Sequence, residues 1–315
     1  MDRQPETTTM RAADREAELR ALLAACAEAD GVEPCNEAAM LELAEREALV
    51  LGNPGEEAIA GAAILEELPA DGDGPAPLGA ELAVAPDARG RGFGARLAAA
   101  LRERAAERPL LVWSHGDLPA ARALAERLGA ERVRVLLRLG LRLDEARRAA
   151  IAAEAELPAP EGVEIGAFRP GRDEEELLAV NAEAFRSHPE QGRLDLEGLR
   201  ARMAEPWFSP DRLLLARDAA CGALLGFHWL KLDGEEAEVY VLGVADAAAG
   251  RGIGRALMRR GLAILADSGR PEASLYVEGD NEPALALYRS LGFERRSIDV
   301  RYRLEPHLEP SPAAR

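Results

Sequence analysis

The fold is decided by a strand, glycine-rich turn and helix pattern that occurs twice. Ala237–Leu265 reads AEVYVLGVADAAAGRGIGRALMRRGLAIL, and Gly79–Ala105 reads GAELAVAPDARGRGFGARLAAALRERA. When Gly94 is aligned with Gly254, the two segments match without a gap at an offset of 160 residues. An alternating apolar pattern that changes to a period of about 3.6 residues predicts a strand followed by a helix. Because both halves show the same order, the chain is predicted to be a duplication.

A second matching pair of segments follows the turns: HGDLPAARALAERLG from His115, and EGDNEPALALYRSLG from Glu278. Gly129 then aligns with Gly292 at an offset of 163 residues. We predict an N-terminal domain over residues 1–145, a Pro-rich linker over 146–162, a C-terminal domain over 163–305 and a flexible tail over 306–315. The fold class is predicted as α/β, with a central mixed sheet flanked by helices in each domain.

Composition limits the classes of partner. The chain has 315 residues, of which 48% are hydrophobic, so two domains with substantial cores are expected. With 39 basic and 56 acidic residues the formal charge is −17, which disfavours a general surface for nucleic acid or an anionic membrane. An anionic ligand must therefore be bound by a local arrangement of backbone or side-chain groups.

The cysteines and histidines indicate no structural metal and no disulfide framework. Cys26, Cys35 and Cys221 form no CxxC pair, and the four histidines show no metal-ligand spacing. The N-terminal segment lacks the pattern of a signal peptide, and no apolar run is long enough to span a bilayer. We expect a cytoplasmic protein without a metal.

The glycine-rich turn itself predicts a phosphate site. Residues 89–94 read RGRGFG and residues 249–254 read AGRGIG. Glycines let several backbone N–H groups converge, and the following helix N-terminus adds partial positive charge, so such a turn can bind a pyrophosphate. One such turn is as often structural as functional, but two in equivalent positions favour ligand binding. A Rossmann site would place the turn in its first βα unit, and a Walker loop needs Gly-Lys-Ser/Thr, so neither fits.

The turn, followed by Asn281-Glu282-Pro283-Ala284, Tyr288 and Gly292-Phe293, resembles the acetyl-CoA site of the GNAT acyltransferase superfamily. The resemblance implies two tandem GNAT domains that use acetyl-CoA as cosubstrate. It departs at Ala249, where the family usually has Gln or Arg. The residues that it assigns to acetyl-CoA binding are Leu82, Ala83, Val84, Arg89, Gly90, Arg91, Gly92, Phe93 and Gly94 in the first copy, and Leu242, Gly243, Val244, Ala249, Gly250, Arg251, Gly252, Ile253, Gly254, Arg255, Asn281 and Ala284 in the second.

Four strings narrow the resemblance: HPEQG from His188, FHWLK from Phe227, EVYVLGV from Glu238 and LYVEGDN from Leu275. They are similar to tandem members that acetylate the cysteinyl amine of a cysteinyl-glucosaminyl-inositol precursor. This implies a small-molecule thiol-sugar substrate together with coenzyme A. We also expect no nucleic-acid or membrane partner, and a monomer. The implied substrate-binding residues are Glu37, Glu190, Lys231, Glu238 and Tyr276. Carboxylates and a lysine suit a polyol that carries an ammonium group.

Amine acetylation needs a base for the ammonium and an acid for the departing thiolate. Glu238, beside the predicted strand end, is the candidate base, and Tyr288 is the candidate acid. By residue type alone, Glu238 is compatible with an exposed strand position and Tyr288 with an ordinary core aromatic. For Tyr288 only the family pattern favours the catalytic role, whereas the apolar run EVYVLGV also favours a partly buried site for Glu238.

The first copy offers an internal comparison. At the two offsets, Glu238, Asn281 and Tyr288 correspond to Leu78, Leu118 and Ala125. We therefore expect the first copy to have no acid or base and to bind acetyl-CoA without turnover, or merely to pack. Two alternatives stay open: a GNAT that acetylates an aminoglycoside or a protein N-terminus, and a non-catalytic acyl-CoA-binding module.

Overall fold

The computed structural model describes residues 6–52, 58–70, 74–186, 192 and 194–305. In chain order, the strands are β1 (Glu6–Arg11), β2 (Glu47–Gly52), β3 (Gly61–Glu67), β4 (Leu78–Val84), β5 (Leu110–Ser114), β6 (Glu131–Arg142), β7 (Val163–Ala167), β8 (Leu213–Asp218), β9 (Leu224–Asp233), β10 (Glu236–Val244), β11 (Glu272–Glu278) and β12 (Glu294–Leu304). The helices are α1 (Glu16–Asp30), α2 (Glu37–Leu41), α3 (Phe93–Ala105), α4 (Pro119–Leu128), α5 (Glu145–Ala155), α6 (Glu174–Ala184), α7 (Leu196–Met203), α8 (Ile253–Asp267) and α9 (Glu282–Ser290).

The chain forms two compact units. Unit 1 takes in the chain to Leu136, the short segment Glu278–Asp280 and the segment that begins at Ser297. Unit 2 takes in Leu137–Val277 and Asn281–Arg296. Most of β12 therefore belongs to unit 1, although it ends the second sequence repeat. Units and repeats differ at this strand, and the domain boundaries drawn from the sequence stay a prediction.

In unit 1 the strands are ordered β1-β2-β3-β4-β5-β12. The β4–β5 pair is parallel, and the other pairs are antiparallel. Val50 and Ile64 pack in a core cluster with α1 residues, whereas Leu49 and Leu65, next to them in sequence, pack with α3 residues. Both faces of these strands are buried under helices, which is why β2 and β3 are apolar at successive positions.

In unit 2 the order is β6-β11-β10-β9-β8-β7, with β10 and β11 parallel. Residues of α5, α8 and α9 share one core cluster with β10 and β11, while α6 and α7 contribute to a second cluster. The predicted linker begins with helix α5, which packs against α8. The Asp144 side chain caps this helix by accepting a hydrogen bond from Arg147 N at 2.9 Å.

The two repeats have the same backbone at the turns. Gly90 and Gly92 have φ of +74° and +82°, and Gly250 and Gly252 have +76° and +77°. Residues that carry a side chain rarely adopt this left-handed backbone conformation, so glycine is required at these positions. Helices α3 and α8 each begin directly after the second glycine. The structure thus confirms the α/β duplication, and no helix among the described residues is long and apolar enough to cross a membrane.

Candidate active site

The two parallel central strands of unit 2 separate at the predicted site. Parallel pairing of β10 with β11 covers Glu238 and Val239, whereas antiparallel pairing of β10 with β9 continues to Val244. The register with β9 shifts between Val239 and Val241, which is a bulge. Leu242, Gly243 and Val244 therefore lie beyond the parallel pairing, on a strand edge that an extended ligand can approach. This is the position assigned to the acetyl-CoA chain.

Glu238 and the predicted acceptor residues lie on one face of the sheet. Glu238 is opposite Lys231 on β9 and Ser274 on β11, and Tyr276 lies two residues beyond Ser274. Side chains paired across neighbouring strands have Cβ atoms about 5 Å apart. Lys231 is the one lysine of the chain; its side chain is largely buried, with Nζ 3.9 Å from Asp233 and 5.7 Å from the centre of the Trp207 ring. Tyr276 is 49% exposed, so its ring is accessible to a substrate.

Tyr288 lies on the opposite face. Its ring is buried in the cluster that contains Val239, Leu275 and Val277, and it meets Phe293 edge-on at 5.8 Å between ring centres. Burial raises the pKa of Tyr288 to about 12. The phenol therefore stays protonated at neutral pH, which is the state that can donate a proton. Glu238 and Tyr288 therefore lie on opposite faces of the sheet, near the point where β10 and β11 stop pairing.

The phosphate turn of unit 2 exposes Gly250, Arg251 and Gly252. Ile253 is buried and begins α8, while Arg255 donates to Ser290 Oγ at 3.0 Å. Asn281 caps α9, because its Oδ1 accepts the Ala284 N–H at 3.1 Å. The turn offers backbone N–H groups, as the sequence predicts, and the Asn281 carbonyl oxygen already bonds to its own helix.

Unit 1 has the same strand separation and an open cavity beside it. Parallel pairing of β4 with β5 ends at Glu81, so Leu82, Ala83 and Val84 lie beyond it. A cavity of about 390 Å³ is lined by these residues and by the turn glycines. Arg89 also lines this cavity, and its guanidinium donates two hydrogen bonds to Asp30, of 2.6 and 2.8 Å, and one to Val84 O of 3.1 Å. These bonds connect the turn to α1.

Unit 1 also contains ionisable groups beside its cavity, at positions other than those equivalent to Glu238 and Tyr288, so the expectation that the first copy has no catalytic acid or base stays a prediction. His115 lies between two carboxylates, with Nε2 3.1 Å from Glu81 and Nδ1 3.4 Å from Asp299. Asn36 donates to Glu81 at 2.8 Å. Burial favours the neutral imidazole, but the hydrogen bonds with Asp299 and Glu81 outweigh it and raise the pKa of His115 to about 9. Both ring nitrogens are engaged, so the group stabilises the strand ends as a buried cation.

Comparison with known proteins agrees with this geometry. The model of the acetyltransferase (GNAT) family matches residues 17–130 and 176–293. The chain belongs to the GNAT family. A mycothiol acetyltransferase from Clavibacter sepedonicus is 48% identical over 87% of each chain, and one from Thermomonospora curvata is 47% identical over 91% of this chain and 92% of its own.

Solved structures show the same GNAT fold. A GCN5-related N-acetyltransferase from Sphaerobacter thermophilus matches with a TM-score of 0.71 and 23% identity, covering 97% of this chain and 98% of its own. A tandem GNAT protein from the clavulanic acid biosynthesis pathway has a TM-score of 0.69 and 22% identity, covering 98% and 100%. With the family match in both halves and the relatives named above, the chain is a tandem GNAT N-acetyltransferase, as the resemblance predicts.

Two predicted acceptor residues of this GNAT enzyme are not described. Glu190 lies outside the described residues, and of Glu37 the structure describes only the backbone, at the start of α2. Their assignment to the acceptor stays a prediction. Among the residues that the structure does describe, no group of three or more His, Cys, Asp and Glu is arranged to hold a metal ion.

Sequence reasoning missed an aromatic group near Lys231. Trp207 and Trp229 contact Tyr240, with ring centres 5.2 and 5.5 Å from it, and Tyr240 OH accepts a hydrogen bond from Arg202 at 3.0 Å. Tyr240 is two residues after Glu238, so strand alternation was the available signal. Trp207 and Arg202 come from a distant part of the sequence, and no local pattern connects them with β10.

Proposed function

We propose that this chain transfers the acetyl group of acetyl-CoA to the cysteinyl amine of the cysteinyl-glucosaminyl-inositol precursor, which gives mycothiol. The observation that carries the proposal is the pairing of Glu238 with Lys231 on one face of the parted strands, with Tyr288 on the other. The relatives named mycothiol acetyltransferase, which align along most of their length, support the choice of substrate.

The residues present suit acetyl-CoA. Gly250 and Gly252 adopt left-handed backbone conformations at the start of α8, which brings N–H groups and the helix N-terminus to one place for phosphates. The open edge Leu242–Val244 suits an extended amide chain. When bound, acetyl-CoA supplies the acyl group as an activated thioester.

Glu238 has the task of keeping the acceptor amine neutral. An α-amine has a pKa near ~8, so at neutral pH a proton must leave before the amine can attack. A carboxylate on the acceptor face stabilises the ammonium when it binds and accepts the proton, directly or through water. We propose that Lys231, which is opposite Glu238, binds a hydroxyl of the sugar or inositol and disfavours acceptors that carry a second cation at that position.

Tyr288 completes the reaction on the other face. Its pKa of about 12 keeps the phenol protonated at neutral pH. The phenol can therefore donate a hydrogen bond to the departing thiolate and supply its proton as the carbon–sulfur bond breaks, which prevents the reverse attack. We further propose that Tyr276, Glu37 and Glu190 bind the acceptor, that unit 1 holds coenzyme without turnover, and that the enzyme is a cytoplasmic monomer.

The acceptor is tested by measuring coenzyme A release with three acceptors: the cysteinyl-glucosaminyl-inositol, glucosaminyl-inositol without the cysteine, and a peptide with a free N-terminus. Release is followed by mass spectrometry, because the first acceptor carries its own thiol. We expect the first acceptor to exceed the others by at least tenfold in kcat/KM. Preference for the peptide would refute the substrate while leaving a GNAT enzyme.

The role of Glu238 is tested by Glu238→Gln. We expect a loss of roughly 100-fold in kcat/KM at pH 7, which shrinks above pH ~8 because the amine is then mostly neutral. Glu235→Gln is the control, since Glu235 is exposed in the β9–β10 turn. An equal loss at every pH would refute the assignment of Glu238 as the group that receives this proton.

A further inference from the structure

The cavity of unit 1 has a polar mouth and an apolar interior. At the mouth it is lined by Gly90, Gly92 and Gly94 of the phosphate turn. From there it continues along α3 and beneath α4, and its inner lining includes Leu101, Leu110, Leu128 and Leu304. Leu101, Leu110 and Leu304 are almost completely buried and close the cavity at its inner end, whereas Leu128 and Ala130 keep part of their surface exposed. We call the inner part the apolar arm.

The arm exists because three large residues of unit 2 are alanines in unit 1. The offsets of 160 and 163 residues pair Met258, Tyr288 and Phe293 with Ala98, Ala125 and Ala130. In unit 2 the three large side chains are buried in one core cluster, where the two rings contact each other. In unit 1 all three alanines line the cavity. The backbone of the helices and turns is equivalent, so the missing side chains leave space next to the place that Tyr288 fills in unit 2.

We propose that unit 1 binds an acyl-CoA whose acyl group is longer than acetyl, of about medium chain length, with the chain in the apolar arm. The proposal rests on the coenzyme site of unit 1 put forward above. The occupant must carry phosphate at one end, because the mouth is a phosphate turn, and an apolar chain at the other, because the arm is continuous with it. A dinucleotide or a sugar phosphate meets only the first condition, and a free fatty acid only the second.

Acetyl-CoA would leave the arm empty, with lining atoms that lack contact partners. An acyl chain in the arm supplies the missing contacts, and its apolar surface is removed from water. Each methylene that becomes buried can strengthen binding by up to roughly fourfold. Even if the chain fills only part of the arm, unit 1 should therefore bind a medium-chain thioester more than tenfold more tightly than acetyl-CoA. In unit 2 the Tyr288 and Phe293 rings occupy this space. Unit 2 therefore excludes a longer acyl chain and remains specific for acetyl-CoA.

The test is titration calorimetry of the full-length protein with coenzyme A, acetyl-CoA and octanoyl-CoA. We expect one site per chain at which octanoyl-CoA binds at least tenfold more tightly than acetyl-CoA. The matched variant is Ala125→Tyr/Ala130→Phe, which restores the rings of unit 2 and should reduce that preference to less than threefold. Ala123→Tyr is the control, because Ala123 is exposed on the same helix α4.

Single Ala130→Leu fills less of the arm and is used if the double variant unfolds on heating at a much lower temperature. A second readout is the fluorescence of Trp113, which lines the cavity, and Trp113→Phe identifies its part of the signal. Acetyl transfer by unit 2 is measured in every variant and should stay unchanged.

Equal affinity of the wild-type protein for octanoyl-CoA and acetyl-CoA would overturn the proposal, as would a preference that the filled variant keeps. If coenzyme A binds at unit 1 but the length of the acyl chain does not change the affinity, the coenzyme site is supported and only the preference for a longer acyl group is refuted. If no thioester binds at unit 1, the coenzyme site fails as well, while acetylation by unit 2 is unaffected.

Discussion

The buried His115 predicts that unit 1 loses stability in mildly alkaline solution. Its pKa rises from 6.5 to about 9 in the folded protein because hydrogen bonds with Asp299 and Glu81 outweigh the effect of burial. Each pKa unit corresponds to about 1.4 kcal/mol, so the protonated ring contributes about 3 kcal/mol to the free energy of unfolding. Since the folded pKa is raised, this contribution is complete below pH 6.5 and is lost as the pH rises through 9.

The assay is native-state hydrogen exchange of the full-length protein at pH 6.5 and 9.5, read by mass spectrometry. After correction for the intrinsic exchange rate, β5 of unit 1 should open more easily at pH 9.5 by about 3 kcal/mol, whereas β9 of unit 2 serves as an internal reference. His115→Gln cannot titrate and should remove this dependence of β5 on pH. The same pH dependence in His115→Gln, or none in the wild type, would refute the assignment to His115.

Three further outcomes are expected. Tyr288→Phe should lower kcat roughly 100-fold while KM for acetyl-CoA changes less than threefold, measured by coenzyme A release; unchanged kcat would remove its role as the acid. Gly261→Ala should destabilise the protein by about 1–3 kcal/mol in urea unfolding, because the new Cβ would overlap the buried His228 ring; a wild-type midpoint would contradict this. Arg89→Ala should change coenzyme affinity at unit 1 less than threefold in calorimetry, because its guanidinium bonds to Asp30; a tenfold loss would assign it to phosphate.

The sequence alone determined the duplication and the phosphate turns. Both depend on local rules: left-handed backbone at Gly90, Gly92, Gly250 and Gly252 requires glycine, and apolar periodicity separates strands from helices. These signals depend on residues that are close together in the sequence, so they can be recognised without knowledge of the tertiary contacts. The family pattern around Tyr288 was visible for the same reason.

Tertiary structure decided which side chains meet. Only the sheet order brings Asp299, near the end of the chain, to His115 and Glu81, and no local pattern predicts that these groups meet. The cavity of unit 1 likewise depends on packing between α3, α4 and β12, although the alanines at positions 125 and 130 were readable. Contacts between residues far apart in sequence depend on how the whole chain folds, and a local sequence pattern does not determine them.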